Sequence, residues 1–526
     1  MCWNEFLNTN RIRKSQVDDR RTDLSGSTDN RNPFESDFGR VIFSSACRRL
    51  HDKTQVFPLT SDDNIHSRLT HSLEVMNIGL SFGIYLCGNE KFKETTGLTS
   101  EDILRKISPI LKTACLVHDI GNPPFGHFGE EVIQEYFKNL FFSLMDKTNP
   151  ESEQSKHIYK GICDTVYCKD NEDIQKKCVE KQITELSDFL SNPQLKYDYT
   201  QFDGNAEGFR ILTKLQYLGD LEGLNLTFAT LASILKYPNY NEGNKEDGNI
   251  GNHKHGAFFI EKEALDKVMN GCGLKTEKGF IRHPLVFLME AADSICYLIM
   301  DIEDANQKQW LTLDKLKYYI NKDENISLDI KNKLMQNTQT TSGNNNYSKK
   351  EWVSFRTTLL SHLMEVATNN FVEKLGDIVR GEYNNELIED NDGVAKLLKY
   401  ITREYILSNR EITSLEITGE AVISGILNAY IKYFFHTNKD FRDRGKSLIS
   451  RSIFMTILHE HKEAYHDDSY FVQKYGNYQS IEKLYKNFDV ADFTVEERFR
   501  LIRDFIACMT DKFALNHIRK LNGQKI

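Results

Sequence analysis

Helical periodicity dominates this chain. Only nine prolines interrupt 526 residues, and stretches that alternate polar and apolar residues, as strands do, are scarce. Apolar residues make up 40% of the chain, which is enough for a large core. We therefore predict an all-α protein, with a length that allows roughly two to four domains.

The composition of the chain indicates where in the cell the protein works and disfavours some classes of function. The formal charge of −9 argues against a general nucleic-acid coat protein but leaves room for a local basic groove. The ten cysteines include no Cys-x-x-Cys pair, which is typical of free thiols in a reducing compartment. The start has no signal-peptide pattern, and no run of about 18 apolar residues occurs. We predict a cytoplasmic location and no membrane insertion.

A histidine and an aspartate stand side by side at the end of an apolar helical run. His118 and Asp119 follow the helical stripe that begins at Ile103, and Gly121 with two prolines ends the helix directly afterwards. An imidazole and a carboxylate at a helix end can both turn toward one divalent cation. The alternative is an accidental, solvated pair, because such dipeptides are common.

Two further helical segments offer partners for this pair. His71 stands at the start of an apolar face in the stretch 67–75, from which it could reach a core site. In the strongly apolar segment 282–301, one helix face carries Glu290, Asp293, Tyr297 and Asp301. Buried carboxylates need a cation or a cavity. The alternative is an amphipathic helix with its polar face in water.

The segment after the His-Asp pair indicates a proton-transfer site. Pro and Gly residues predict a tight loop and then a helix that begins near Gly126. His127 and Glu130 are three residues apart, hence neighbours on its first turn, and a carboxylate beside an imidazole prepares it for acid or base work. Alternatively, Glu130 is only a favourable first-turn carboxylate and His127 an exposed loop residue.

Taken together, these motifs resemble one family. The segments 44–50, 53–57, 68–75, 118–130, 204–210, 225–227 and 282–305 follow each other as in the deoxyguanosinetriphosphate triphosphohydrolases, which belong to the HD-domain phosphohydrolases. The resemblance covers residues 35 to 305, and an ordered set of blocks is far more specific than one motif. It implies an HD-domain helical core with an additional C-terminal helical region.

The resemblance also implies roles for individual residues. It places a metal ligand set on His71, His118, Asp119 and Asp293, suited to Mn²⁺ or Mg²⁺, and a catalytic pair on His127 and Glu130. It implies substrate contacts, with the deoxyribose at Gln55, Tyr297 and Asp301 and the triphosphate at Lys236, Tyr237 and, more loosely, Lys254. One departure is Glu207, where the family pattern leads us to expect glutamine.

The activity implied is metal-dependent hydrolysis of dGTP to deoxyguanosine and triphosphate. Alternatives are a broad dNTP triphosphohydrolase, another HD-type activity such as a nucleotide phosphodiesterase, and a non-catalytic regulator that binds nucleotide or single-stranded DNA. By analogy we expect a homo-oligomer, a hexamer in preference to a tetramer, with single-stranded DNA as an effector. A basic stretch with Arg442, Arg444, Lys446 and Arg451 could contact a neighbouring subunit's nucleotide.

Four regions divide the chain in this interpretation. Residues 1–34 are a polar arm that orders only by docking, and residues 35–321 form the HD-type catalytic core. Residues 322–351 are a polar excursion, and residues 352–526 are the C-terminal helical region. Within the core, the glycine- and asparagine-rich segment 239–256 is expected to be a flexible loop beside the phosphate contacts, where it could act as a lid.

Overall fold

The computed structural model describes residues 3–12, 30–55, 65–145, 152–164, 172–216, 222–277, 279–335, 349–389, 393–476 and 480–524. Within these ranges the chain is predominantly helical, and its sheet structure is one short antiparallel pair, Lys275–Thr276 (β1) with Gly279–Phe280 (β2). The prediction of an all-α fold is confirmed.

The first half of the chain carries the helices that surround the candidate site. These are α1 (Trp3–Phe6), α2 (Pro33–Ile42), α3 (Ser45–Arg49), α4 (Arg68–Gly88), α5 (Glu90–Thr96), α6 (Ser100–Asp102), α7 (Ser108–Val117), α8 (Gly126–Met145), α9 (Glu153–Asp164), α10 (Glu172–Ser191), α11 (Pro193–Thr200), α12 (Gly204–Arg210), α13 (Phe228–Ala232) and α14 (Lys262–Gly271).

The second half begins with the longest apolar helix of the core and continues into the C-terminal region. Its helices are α15 (Pro284–Gln307), α16 (Leu313–Lys322), α17 (Leu328–Met335), α18 (Lys349–Glu373), α19 (Leu375–Arg380), α20 (Val394–Thr402), α21 (Arg410–Phe434), α22 (Lys439–Leu448), α23 (Arg451–Ala464), α24 (Ser469–Tyr475), α25 (Ile481–Asn487), α26 (Val495–Ala507) and α27 (Asp511–Leu521). Single 3₁₀ or π turns lie at Leu50–Asp52, Ile103–Ile107, Ile211–Leu215, Ile250–Asn252, Phe259–Glu261, Arg403–Leu407 and Val490–Asp492.

α4 packs closely against α7. Gly79 makes this approach possible, because a Cβ atom at that position would lie 2.5 Å from the sulfur of Cys115. α4 begins with a capping box in which the Ser67 side chain accepts from the Thr70 amide. Close packing of the two helices places His71, in the first turn of α4, opposite His118, which directly follows α7.

α15 runs against both of these helices. His283 caps its start by accepting from the Leu285 amide, and Pro284 occupies the first turn, where its missing N–H costs nothing. Most of the helix is buried. Among its carboxylates, Asp301 and Asp304 are buried and Glu290 and Asp293 are half-buried, so its polar face is largely shielded from water, unlike that of an ordinary amphipathic surface helix.

Both ends of the chain pack onto this core. Trp3 and Phe6 are buried, and the Phe6 carbonyl accepts a hydrogen bond of 3.0 Å from His283 Nε2. Residues 13–29 of the predicted arm lie outside the described residues. α21 packs on α8 and on the last two helices. The division into four regions remains a prediction, and residues 336–348 of the predicted excursion also lie outside the described ranges.

Within the described ranges, no helix combines the length and the apolar character needed to cross a membrane. The eight cysteines in these ranges are free thiols. They are Cys47, Cys87, Cys115, Cys163, Cys178, Cys272, Cys296 and Cys508.

Candidate active site

Three of the four predicted metal ligands meet between α4, α7 and α15. One donor atom each from His71, His118 and Asp293 lies within 4.8 Å of the others. Asp293 Oδ1 is 3.2 Å from His71 Nε2 and 3.3 Å from His118 Nε2. Two imidazole nitrogens and a carboxylate oxygen at such distances can share one divalent cation. We call these three residues the metal group.

The chemistry of His118 fits a metal ligand. Its Nδ1 donates a 2.7 Å hydrogen bond to the Cys115 carbonyl, which leaves the lone pair on Nε2. This Nε2 is buried and, among the described residues, forms no hydrogen bond of good geometry. A buried acceptor without a donor is costly unless something else occupies the position. The residues present therefore suit a divalent cation here.

The fourth predicted ligand, Asp119, borders the metal group. Its Oδ2 lies 3.6 Å from His118 Nε2 and is paired with the Arg68 guanidinium, and its Oδ1 accepts 2.9 Å from the Asn122 amide. Although burial opposes it, Arg68 holds the pKa of Asp119 well below its usual range. Asp119 therefore adds a negative charge at the edge of the group.

Lys236 joins the same cluster from the segment after α13. Its Nζ donates a 2.7 Å hydrogen bond to Asp293 Oδ2. Burial works against both charges, yet Lys236 lowers the pKa of Asp293 and Asp293 raises that of Lys236. The amino group predicted to contact the triphosphate thus lies beside the metal group.

The predicted catalytic pair forms in the first turn of α8. Glu130 Oε2 is 2.9 Å from His127 Nδ1, and this hydrogen bond raises the pKa of the imidazole. The other Glu130 oxygen accepts 2.8 Å from the Gly204 amide, which fixes the buried carboxyl. His127 itself is 75% exposed in its side chain. Glu130 therefore fixes the orientation of the imidazole ring, while the exposed part of the ring is accessible to a substrate.

Arg68 connects the two clusters. It pairs with Asp119, and a Cβ atom at Gly126 would lie 2.8 Å from its Nη2, so the guanidinium lies between the metal group and the start of α8. The sequence motif contained Arg68 but suggested no role for it. Its spacing of three residues from His71, hence the same helix face, was the available signal.

The residues predicted to contact the sugar have fewer hydrogen-bond partners than the carboxylates around the metal group. Gln55 Oε1 and Asp301 Oδ2 are buried and have no hydrogen-bond partner among the described residues. Burial, and secondarily Asp304, raises the pKa of Asp301 well above its usual range. Tyr297 is half-buried on the same face of α15. We call Gln55, Tyr297 and Asp301 the sugar group.

His66 holds the segment that leads into α4 next to Asp301. Its Nδ1 is 2.8 Å from Asp304 and its Nε2 is 3.2 Å from Glu74. Burial opposes protonation, but the hydrogen bonds to these two carboxylates raise the pKa of His66 to about 10. His66 was not among the predicted site residues.

The remaining triphosphate candidates line one side of the site. The Lys254 amino group lies 5.9 Å from the Tyr237 ring centre and 3.3 Å from Asp203. Lys254 belongs to the segment predicted to be a lid, and the Nε2 atom of the next residue, His255, lies 3.0 Å from Asp198 Oδ1. Whether the segment moves as a lid remains a prediction.

Glu207 lies in the core behind the catalytic pair. It is fully buried on α12, and neither carboxyl oxygen has a hydrogen-bond partner among the described residues. Burial, together with the Asp504 charge, raises the pKa of Glu207 to about 8. A carboxyl that is protonated at neutral pH approximates the neutral glutamine expected at this position.

The basic stretch near residue 442 is largely engaged within the protein. Arg442 forms two hydrogen bonds of 2.8 and 2.7 Å to Asp489, and Lys446 donates to the carbonyls of Tyr485 and Phe488. Arg451 pairs with Glu482. Arg442, Lys446 and Arg451 thus have polar partners within the protein, and a contact of this stretch to a neighbouring subunit's nucleotide remains a prediction.

The helices of this site and the metal group are those expected of a protein of the HD-domain class. The HD domain family matches residues 68–192, a range that includes His71, the His118-Asp119 pair and the catalytic pair.

Whole-chain comparisons identify the family within this class. The chain is 31% identical to a deoxyguanosinetriphosphate triphosphohydrolase-like protein of Listeria monocytogenes, over 99% of this chain and 100% of that one. It is also 31% identical to deoxyguanosinetriphosphate triphosphohydrolases of Cronobacter sakazakii and Yersinia pestis, with 93% of each chain covered. The chain belongs to the deoxyguanosinetriphosphate triphosphohydrolase family, as its motifs predicted.

Proposed function

We propose that this protein hydrolyses dGTP to deoxyguanosine and intact triphosphate with the help of Mn²⁺ or Mg²⁺. The observation that carries the proposal is the position of Arg68, which pairs with Asp119 at the edge of the metal group and lies beside the start of α8, the helix that carries His127 and Glu130. Phosphate binding and proton transfer are thereby available within one site. Membership of the family supports the choice of substrate.

His71, His118 and Asp293, with Asp119 at their edge, would hold the cation. When bound, it supplies a Lewis acid for a phosphoryl oxygen and a position for water. Lys236 offsets negative charge on the phosphate oxygens from the other side of Asp293. Lys254 and Tyr237 extend this surface toward the terminal phosphates.

His127 moves a proton in this proposal. Water forms a bond to the α-phosphorus while the bond from that phosphorus to the 5′-oxygen breaks, and the 5′-oxygen of the leaving deoxyguanosine takes up a proton. Protonated His127 can donate that proton, or neutral His127 can take one from the attacking water. Glu130 orients the ring in either case.

The sugar group would select deoxyribose. The unpartnered oxygens of Gln55 and Asp301 offer hydrogen-bonding positions for the 3′-hydroxyl. The Tyr297 ring packed against C2′ would leave little room for a 2′-hydroxyl. Discrimination against ribonucleotides follows from this crowding.

We further propose that the protein acts in the cytoplasm as a homo-oligomer, a hexamer by analogy, with single-stranded DNA as an effector. These proposals rest on the resemblance of the chain to its family. Sedimentation velocity tests the oligomer, and a monomer would contradict it. The rate of dGTP hydrolysis with and without a single-stranded oligonucleotide tests the effector, and an unchanged rate would contradict it.

A product analysis on four dNTPs and a cyclic nucleotide with Mn²⁺, each with and without single-stranded DNA, tests the substrate and the products. Release of deoxyguanosine and triphosphate from dGTP, faster than from the other dNTPs, is expected. Equal rates on all four would indicate a broad dNTP triphosphohydrolase. Turnover of a cyclic nucleotide alone would indicate another HD-type activity, and binding without turnover a regulator.

A further inference from the structure

Asp511, the first residue of α27, lies far along the chain from the site but contacts two of its loops. The side chain is buried, with 2% of the residue exposed. Its Oδ2 accepts a 2.9 Å hydrogen bond from the Thr54 amide, and its Oδ1 accepts one of 2.9 Å from the Phe125 amide. A single carboxylate thus connects the two loops.

Each of these amides lies within two residues of a residue of the candidate site in the sequence. Thr54 directly precedes Gln55 of the sugar group. Phe125 is two residues before His127 and one before the start of α8. The distance between Asp511 Oδ1 and Oδ2 is fixed by covalent geometry, so the two loops cannot separate without the loss of a buried hydrogen bond.

Phe125 is held in an unusual conformation at this contact. Its φ of 63° lies in the left-handed region, which residues other than glycine rarely adopt. Its ring packs closely on α21, where a Cβ atom at Gly419 would lie 2.8 Å from Phe125 Cγ. Such a backbone persists only where its surroundings hold it, and Asp511 supplies the acceptor for its amide.

Lys53 forms a second connection between these two loops. Its buried amino group donates to the Asn122 carbonyl and, at 3.0 Å, to the Ala507 carbonyl at the end of α26. The C-terminal helices therefore contact the loop before Gln55 and the loop before His127 through one cationic and one anionic side chain.

We propose that Asp511 is a positioning residue that sets the placement of Gln55 relative to His127 and so couples sugar recognition to catalysis. The inference rests on the proposed function. Small displacements of groups near a reacting centre have large effects on rate, and rigid support is what prevents them.

The test compares Asp511→Asn with the matched control Asp440→Asn, an exposed aspartate in the first turn of α22. Asparagine keeps one acceptor oxygen but turns an NH₂ group toward the second amide. We expect kcat/KM for dGTP to fall at least ~10-fold, with bound Mn²⁺ and the circular dichroism spectrum unchanged. The Asp440→Asn enzyme should remain within about twofold of wild type.

A second readout separates positioning from a merely structural role. The ratio of kcat/KM for dGTP to that for 2′,3′-dideoxyGTP reports the 3′-hydroxyl contact of Gln55. It should fall at least ~3-fold in Asp511→Asn, because Gln55 is displaced. An unchanged ratio, or a loss of rate fully explained by the unfolded fraction, would overturn the proposal.

Amide hydrogen exchange in the wild-type protein provides an answer even where the variant does not fold. Thr54 and Phe125 should exchange as slowly as the helical amides of α27, and rapid exchange of either would overturn the proposal. The proposed function fails separately: wild-type enzyme that releases no deoxynucleoside and triphosphate refutes it, whereas the exchange result concerns the Asp511 contacts alone.

Discussion

The metal group and the sugar group differ in whether their side-chain oxygen atoms have hydrogen-bond partners. Around the metal group, the carboxylates already have partners: Asp293 accepts from Lys236, and Asp119 accepts from Arg68 and Asn122. In the sugar group, Gln55 Oε1 and Asp301 Oδ2 are buried without a hydrogen bond from the described residues. The charges around the metal group are therefore already balanced, whereas the sugar group is left for a ligand to complete.

This contrast has an energetic meaning. An unsatisfied buried polar atom costs about 1–3 kcal/mol, so two of them are unfavourable unless a ligand's hydroxyl group contributes the missing bonds. Changes around the metal group should lower the rate for deoxy- and ribonucleotides alike. Changes in the sugar group should instead alter the ratio between the two.

The largest effect is expected from Asp119→Ala. The change removes a proposed ligand and leaves Arg68 beside the cation, so turnover of dGTP should fall by roughly 10³-fold or more, since a cation contributes several kcal/mol. The measurement is kcat after chelation and readdition of Mn²⁺ or Mg²⁺. Asp329→Ala, at an exposed position of α17, is the control and should keep wild-type kcat. A wild-type rate in Asp119→Ala would remove this residue from the ligand set.

A loss of ~10²-fold in kcat is expected from His127→Ala, the usual scale for a missing proton-transfer group. Metal content should be unchanged, because the His127 side chain belongs to the exposed edge of the site and not to the metal group. The dGTP to GTP ratio should also stay the same. Full kcat in this variant would exclude His127 from the chemistry.

Glu130→Gln should move the pH profile to lower pH, because a close carboxylate stabilises the protonated imidazole. The hydrogen bond to Glu130 raises the pKa of His127, so its loss lowers that pKa. If His127 donates the proton, activity is lost as pH rises through its pKa, and the alkaline limb of kcat/KM moves to lower pH. If it accepts one, the acid limb moves in the same direction. A profile that stays in place would contradict the pairing.

The smallest effect, and the one specific to the sugar group, is expected from Tyr297→Ala. Loss of the ring should reduce discrimination between dGTP and GTP by at least ~1 kcal/mol, the scale on which a pocket excludes a single group. The measurement is kcat/KM for both nucleotides in wild type and variant. Should the ratio remain unchanged, deoxyribose is selected elsewhere.

Local patterns in the sequence predicted the helices of the site well. The apolar stripe placed His118 at a helix end, and α7 does end at Val117; the loop signals placed a helix start near Gly126, where α8 begins. The face that carries Asp293, Tyr297 and Asp301 lies on α15. These successes depend on spacing within a few turns, which helical periodicity determines directly.

Contacts between distant segments could not be read in this way. Asp511 and Phe125 are 386 positions apart, and no spacing rule links an aspartate at one helix start to a loop amide elsewhere. The same holds for the pairing of Arg442 with Asp489, since a basic run alone does not reveal a partner on another element. Such contacts follow from three-dimensional packing, which a single sequence does not specify locally.

The central claim is tested most directly by hydrolysis of dGTP with Mn²⁺ in water enriched in ¹⁸O. Attack of water on the α-phosphorus with cleavage of the bond to the 5′-oxygen predicts one ¹⁸O atom in the triphosphate and none in the deoxyguanosine. Label in the deoxyguanosine, or release of dGDP and phosphate in place of triphosphate, would contradict the proposed reaction.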